Sequence, residues 1–182
     1  PLIDTDDMIE STSDIGKEFD IDSLSRKTEP TLKEVIHWQL INKDIDNKEL
    51  VESLVELLDD NGYLRLSIND ICTYLKCDEK EYLEAKDTLS KLDPPGLGAD
   101  TLKECLLLQL ERLKETKDFH LTKILVDECL EDLSKSHYHA VSKKLGISQN
   151  KVRELLQIIL TLNPRPASNY SSSLEVNYPV PD

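Results

Sequence analysis

The sequence predicts an all-α chain of two small helical subdomains, the second helix-turn-helix-like, with an extended proline-rich C-terminal tail. Three observations carry this. Apolar residues recur at three- and four-residue spacing almost throughout past Pro30. Five glycines and two phenylalanines, against abundant Leu, Glu, Lys and Asp, disfavour a β-rich fold. A short-plus-long helix pair also recurs at an offset of 70 residues.

Taken in order, residues 1–29 hold nine acids against three bases, net −6, with little apolar periodicity. They are expected to be a disordered acidic linker. Thr31-x-x-Glu34 is a capping box before Val35, Ile36 and Leu40. Asn47 caps a helix carrying Leu50, Val51, Leu54 and Val55, which Asn61-Gly62 ends. A short helix from about Ile68 to Leu75 precedes a longer one from about Glu79 to Lys91, opened by Asp78-x-x-Glu81. Helices follow near Leu102 to Lys114 and Phe119 to Leu133, then a second pair over Tyr138 to Leu145 and Gln149 to Thr161. Pro164, Pro166, Pro179 and Pro181 punctuate the tail. The expected division is a first subdomain over 30–116, a second over 117–166, and an extended linker over 167–182.

The two pairs align without a gap: Ile71 with Val141, Leu75 with Leu145, Tyr82 with Val152 and Leu89 with Ile159. Each copy ends in Leu-Asp-Pro or Leu-Asn-Pro. In the second copy Gly146 suits a left-handed helix end and Ser148 caps the next helix. Charge separates the copies. Residues 68–96 hold seven acids and four bases, net −3, whereas 137–166 hold five bases and one acid, net +4.

The formal net charge of −14 speaks against a nucleic-acid binder that uses its whole surface. There is no apolar run long enough for a bilayer and no signal-peptide pattern. Cys72, Cys77, Cys105 and Cys129 show no metal-ligand pairing and read as reduced core residues of a cytoplasmic protein. No phosphate-cradling loop, H-E-x-x-H or nucleophile elbow occurs, so no catalytic residue, metal or cofactor is expected.

The block Leu92 to Leu110, LDPPGLGADTLKECLLLQL, joins a helix stop, a glycine pivot and a helix start. Asp93 and Pro94 end the first helix, Gly96 and Gly98 permit left-handed backbone, and Thr101 with Glu104 forms a capping box. The corner is expected to turn the following helix back onto the first subdomain. The block resembles the core-binding region of the sigma-54 class of bacterial RNA polymerase sigma factors, whose members carry a run close to LDPPGVGARDLRECLLLQL. A second family run, close to LNPRPG, is matched by Leu162-Asn163-Pro164-Arg165-Pro166-Ala167. His37-Trp38-Gln39-Leu40 and the DDNGYL from Asp59 to Leu64 match as well, so the resemblance spans Thr31 to Asp182. Two departures stand out: Asp100-Thr101 replaces the usual Arg-Asp, and Ala167 the usual glycine.

The resemblance implies a non-enzymatic transcription initiation factor fragment whose partner is core RNA polymerase. It implies contact with promoter DNA and with an activator ATPase only through regions expected to be absent from this chain. A free-standing helix-turn-helix DNA-binding regulator and a helical protein–protein adaptor are the alternatives. The charged faces and the corner nominate Asp78, Glu79, Pro95, Gly96, Lys151, Arg153 and Arg165 as polymerase contacts. Asp93, Pro94, Gly98, Thr101 and Glu104 are expected to shape the corner.

Overall fold

Side-chain caps and proline stops cut the chain into short helices. In a computed structural model that describes residues 30–170, eight α-helices form and no strand longer than an isolated bridge. They are α1 (Leu32–Asn42), α2 (Lys48–Glu56), α3 (Ile68–Leu75), α4 (Glu79–Ser90), α5 (Leu102–Glu111), α6 (Phe119–Ser134), α7 (Tyr138–Leu145) and α8 (Gln149–Leu160). The expected acidic linker and most of the expected tail lie outside the described residues.

Thr31 closes a complete capping box with Glu34, and Ser67 and Ser148 cap α3 and α8. Two caps differ from the expectation. Asn47 stands at the start of α2 but its side chain makes no capping hydrogen bond. Thr101 accepts from Glu104 N, yet the Glu104 carboxylate reaches back to Asp100 N at 2.8 Å rather than to Thr101 N. The end of α2 differs too: the helix stops at Glu56, before Asn61-Gly62. There Asp59 Oδ1 accepts from the amides of Asn61 and Tyr63, both at 2.9 Å, and folds the chain into a tight turn. A carboxylate that satisfies two turn amides competes with helix continuation.

Two apolar cores form. The first gathers α1 to α4 around Ile36, Leu40, Leu54, Ile71, Tyr82 and Leu89. The second gathers α5 to α8 around Leu106, Leu110, Leu125, Cys129, Val152 and Leu155. The two clusters fall on either side of the corner Asp93–Asp100, except that Ala167 packs in the first. The helix after the corner buries its apolar face in the second core. It meets the first copy through polar contacts, where Lys86 pairs with Asp100 and Glu104 at 3.1 Å each and Arg112 pairs with Asp93, and through a small apolar contact of Cys105 and Leu108 with Tyr63. All four cysteines are free, with Cys105 and Cys129 buried.

The 70-residue repeat extends further than the sequence reading took it. The bounds of α3 and α4 map onto those of α7 and α8, and residues 71–80 and 141–150 share one pattern of burial. The match continues upstream as Thr31 with Thr101, Glu34 with Glu104, Ile36 with Leu106, Gln39 with Gln109 and Leu40 with Leu110. The glutamines do the same work in each copy. Gln39 exchanges hydrogen bonds of 2.7 and 2.8 Å with the C=O and N–H of Asp93. Gln109 does so at 2.6 and 2.7 Å with Asn163. The proline after each Asx forbids helix continuation, so one amide side chain satisfies the stranded peptide groups.

Gly96 holds φ +93°, and a Cβ there would lie 2.7 Å from Cys105 Sγ and 2.9 Å from Gln109 Nε2. Gly146 holds φ +65° with open space around it, and the matching Lys76 adopts φ 53°. Gly96→Ala is therefore expected to cost about 2–4 kcal/mol, strain and clash combined, while Gly146→Ala costs about 1 kcal/mol. Urea unfolding midpoints of the two variants check this, and equal losses would refute the steric argument.

Candidate functional site

With no catalytic chemistry expected, the candidate sites are surfaces, and the joint between the copies sets how those surfaces face. The turn at Asn61–Leu64 and the corner at Leu97–Ala99 run side by side: Gly98 N donates to Gly62 O and Leu64 N to Ala99 O, each at 3.0 Å. The segment after α8 crosses back over this turn. Tyr63 Oη donates to Pro164 O at 2.5 Å, and Ala167 N donates to Asn61 O at 3.2 Å. Ala167 is buried and belongs to the first core, and residues 165–170 form turns. The start of the expected extended linker is thus a packed strap, because Ala167 is small enough to lie within 3.2 Å of where a Gly62 Cβ would be.

Beneath the strap, Tyr63, Ala99 and Cys105 make a small apolar cluster against Leu108. Cys105 Sγ lies 3.8 Å from Asn163 O and accepts from Gln109 Nε2 at 3.3 Å. Burial pushes the Tyr63 phenol above its ordinary value, with the Cys105 thiol adding to the rise. Burial likewise pushes the Cys105 thiol up, against the polar contacts it makes with Tyr63 and Gln109.

The nominated contact residues fall into three situations. Gly96 is buried and Pro95 half-buried, so both serve the corner. Asp93 is held by Gln39 and Arg112, whose guanidinium also donates to Leu92 O at 2.6 Å and Ser90 O at 3.2 Å, the carbonyl end of α4. Lys151 is pinned between Asp118 at 2.9 Å and Glu154 at 3.2 Å. Hydrogen bonds to those carboxylates, Asp118 first, hold its ammonium above the ordinary lysine range. The other four are exposed. Asp78 and Glu79 open α4 and, with Lys80, Leu83, Glu84 and Asp87, line a shallow open hollow. Arg153 lies 5.9 Å over the Tyr138 ring, and Arg165 is exposed on the strap. In the corner Gly98 holds φ +77° against Leu89, and Pro94 is half-buried.

Sequence reading missed Gln39, Gln109, Tyr63, Lys86 and Arg112. For the two glutamines the signal was present, since the 70-residue offset that pairs α4 with α8 also pairs them.

A family model described as "Sigma-54 factor, core binding domain" matches residues 22–182. An RNA polymerase sigma-54 factor of Acidithiobacillus ferridurans is 29% identical, over 97% of this chain and 38% of its own length. A putative RNA polymerase sigma-54 factor of Clostridium kluyveri is 30% identical, over 85% of this chain and 34% of its own. The Bacillus subtilis RNA polymerase sigma-54 factor is 29% identical, over 84% of this chain and 35% of its own. The chain thus spans little more than a third of the length of these relatives.

Replacing the buried Gln109 by Met leaves the part-buried Asn163 peptide groups without their partner, an expected loss of about 1–3 kcal/mol, against about 1 kcal/mol for Gln39→Met at its more exposed site. Tyr63→Phe should cost about 1 kcal/mol at neutral pH. Both raised groups are neutral in the fold. Their stabilisation is complete below the ordinary values of 9.0 for the thiol and 10.0 for the phenol, and is lost as pH climbs past them towards the folded values. Melting temperature should therefore fall from about pH 9 upward, less steeply in Tyr63→Phe. Parallel curves for variant and parent would remove Tyr63 from this account.

Proposed function

The chain belongs to the sigma-54 factor family and carries that family's core-binding domain, and on that premise we propose that it docks as a protein on core RNA polymerase. The match over residues 22–182, with the corner Asp93–Asp100 seated at the joint of the two cores, carries the reading. The family is one of transcription initiation factors rather than enzymes. No described helix is long and apolar enough to cross a membrane, and we place the protein in the cytoplasm with the polymerase. Promoter reading and the response to an ATP-driven activator are assigned to other segments of the longer factors.

The two cores are read as two subdomains, each ending in a helix-turn-helix-like pair, α3–α4 and α7–α8. The joint holds them in one orientation, which supports docking on a large partner at two points without a large ordering cost. The hollow on α4 is the favoured contact. Glu79 has no cation partner among the described residues, and Leu83 is 49% exposed beside it. Apolar area with an acidic rim suits a basic-rimmed apolar site, where the apolar part sets residence time and the rim sets on-rate.

Co-elution of the 182-residue chain with core polymerase on gel filtration tests the reading, with binding expected at micromolar concentration or tighter. Asp78→Lys with Glu79→Lys should weaken binding at least 10-fold, with unchanged helical circular dichroism. Failure of the parent chain to bind would overturn the function. Unaltered binding by the charge-reversed variant would remove the α4 hollow from it.

A further inference from the structure

The α7–α8 pair is the same scaffold as α3–α4 with its outward face rewritten. At matched positions Glu79 becomes Gln149, Lys80 becomes Asn150, Leu83 becomes Arg153, Asp87 becomes Gln157 and Thr73 becomes Lys143. The inward positions keep one burial pattern, so the two pairs differ chiefly in what they offer to a partner. We infer that the exposed face of α7–α8 is a contact surface for duplex DNA, formed by Lys143, Gln149, Asn150, Arg153, Gln157 and Arg165.

Charge favours this occupant. Around α8 the nearest carboxylates already have cation partners: Asp118 and Glu154 share Lys151, and Glu128 pairs with Lys144 at 3.7 Å. Asp132 lies 3.7 Å from His137 Nδ1. Lys143, Arg153 and Arg165 have no carboxylate partner among the described residues, so their charge faces outward uncompensated. Such cations are what phosphate neutralisation requires. Stacking over Tyr138 steadies the Arg153 guanidinium while leaving it exposed.

Residue chemistry points the same way. Asn150, Arg153 and Gln157 share one face of α8 by their spacing of three and four. Gln149 Nε2 lies 3.1 Å from His139 Nδ1, which ties the start of α8 to α7. In a helix-turn-helix the first turns of the second helix meet the major groove, and Asn, Gln and Arg are the side chains that pair with base edges and phosphates there. The acidic face of α3–α4 would repel the same duplex, so contact is confined to one copy. Three unpaired cations make weak contact alone. The surface is useful where another interaction already holds the protein beside DNA, because tethering raises the effective concentration. The inference stands on the α8 face and does not depend on polymerase docking.

Fluorescence anisotropy of the 182-residue chain with a labelled 20-base-pair duplex tests it. At about 50 mM salt binding is expected in the range of roughly 10–100 µM, with a log–log salt slope of about −3 for three released counterions. Lys143→Glu with Arg153→Glu should weaken duplex binding at least 10-fold, and Lys143→Gln with Arg153→Gln should do so more mildly. Melting curves identify any variant that is misfolded, in which case the glutamine pair decides. Absence of duplex binding at low salt overturns the inference, as does binding indifferent to both pairs. So does loss of polymerase co-elution in these variants with duplex binding retained, since the face would then be a protein contact. A parent chain that binds duplex in this manner but not polymerase upholds the inference and fails only the docking proposal.

Discussion

A buried amide side chain, Gln109, clamped on the N–H and C=O of Asn163, is the interaction on which the relation between the two copies depends. Pro164 prevents the chain after α8 from resuming a helix and leaves the part-buried peptide groups of Asn163 without helical partners. One amide offers a donor and an acceptor in the right register, and it comes from α5, the first helix of the same copy. With that end fixed, Pro164 meets Tyr63 and Ala167 meets Asn61, so the strap closes over the turn of the first copy. The first copy has the same clamp in Gln39 and Asp93, reinforced by Arg112 from α5. Each clamp therefore ends one copy, and the helix α5 takes part in both.

The corner follows from that geometry. α5 has to start within a few residues of the end of α4 and still reach the second core with Leu106 and Leu110. Two left-handed glycines accomplish the reversal, and at Gly96 the absent Cβ is what lets Cys105 and Gln109 approach. The Asp-Thr that replaces the family's Arg-Asp keeps the helix start through Thr101. It also supplies Asp100, whose carboxylate joins Glu104 in holding Lys86 of α4. Through Glu104 and Arg112 α5 holds the end of α4, and through Leu106 and Leu110 it enters the second core.

Two copies of one scaffold with unlike surfaces carry the charge pattern. A scaffold whose inward positions are shared can change its outward residues at little cost to stability, because exposed positions away from caps and cores are nearly neutral. The first copy is acidic around Leu83, and the second is basic and amide-rich around Arg153. A net charge of −14 hides this, since segments of opposite local charge lie on one chain.

The sequence by itself determined the helical class, all eight helix positions to within a few residues, the family through the corner block, and the repeat. Those features are written in local signals: a cap and its partner lie three residues apart, and apolar periodicity is complete within two turns. Only the tertiary structure decided which core α5 joins, that Ala167 is buried, that Lys151 is spent on Asp118 and Glu154, and that Asn47 caps nothing. The physical reason is distance along the chain. Asp118 and Lys151 are 33 residues apart, Gln109 and Asn163 are 54, and Tyr63 and Pro164 are 101. No local window holds both partners, so their meeting is settled by how the two cores pack, and with it which charges stay free to meet something else.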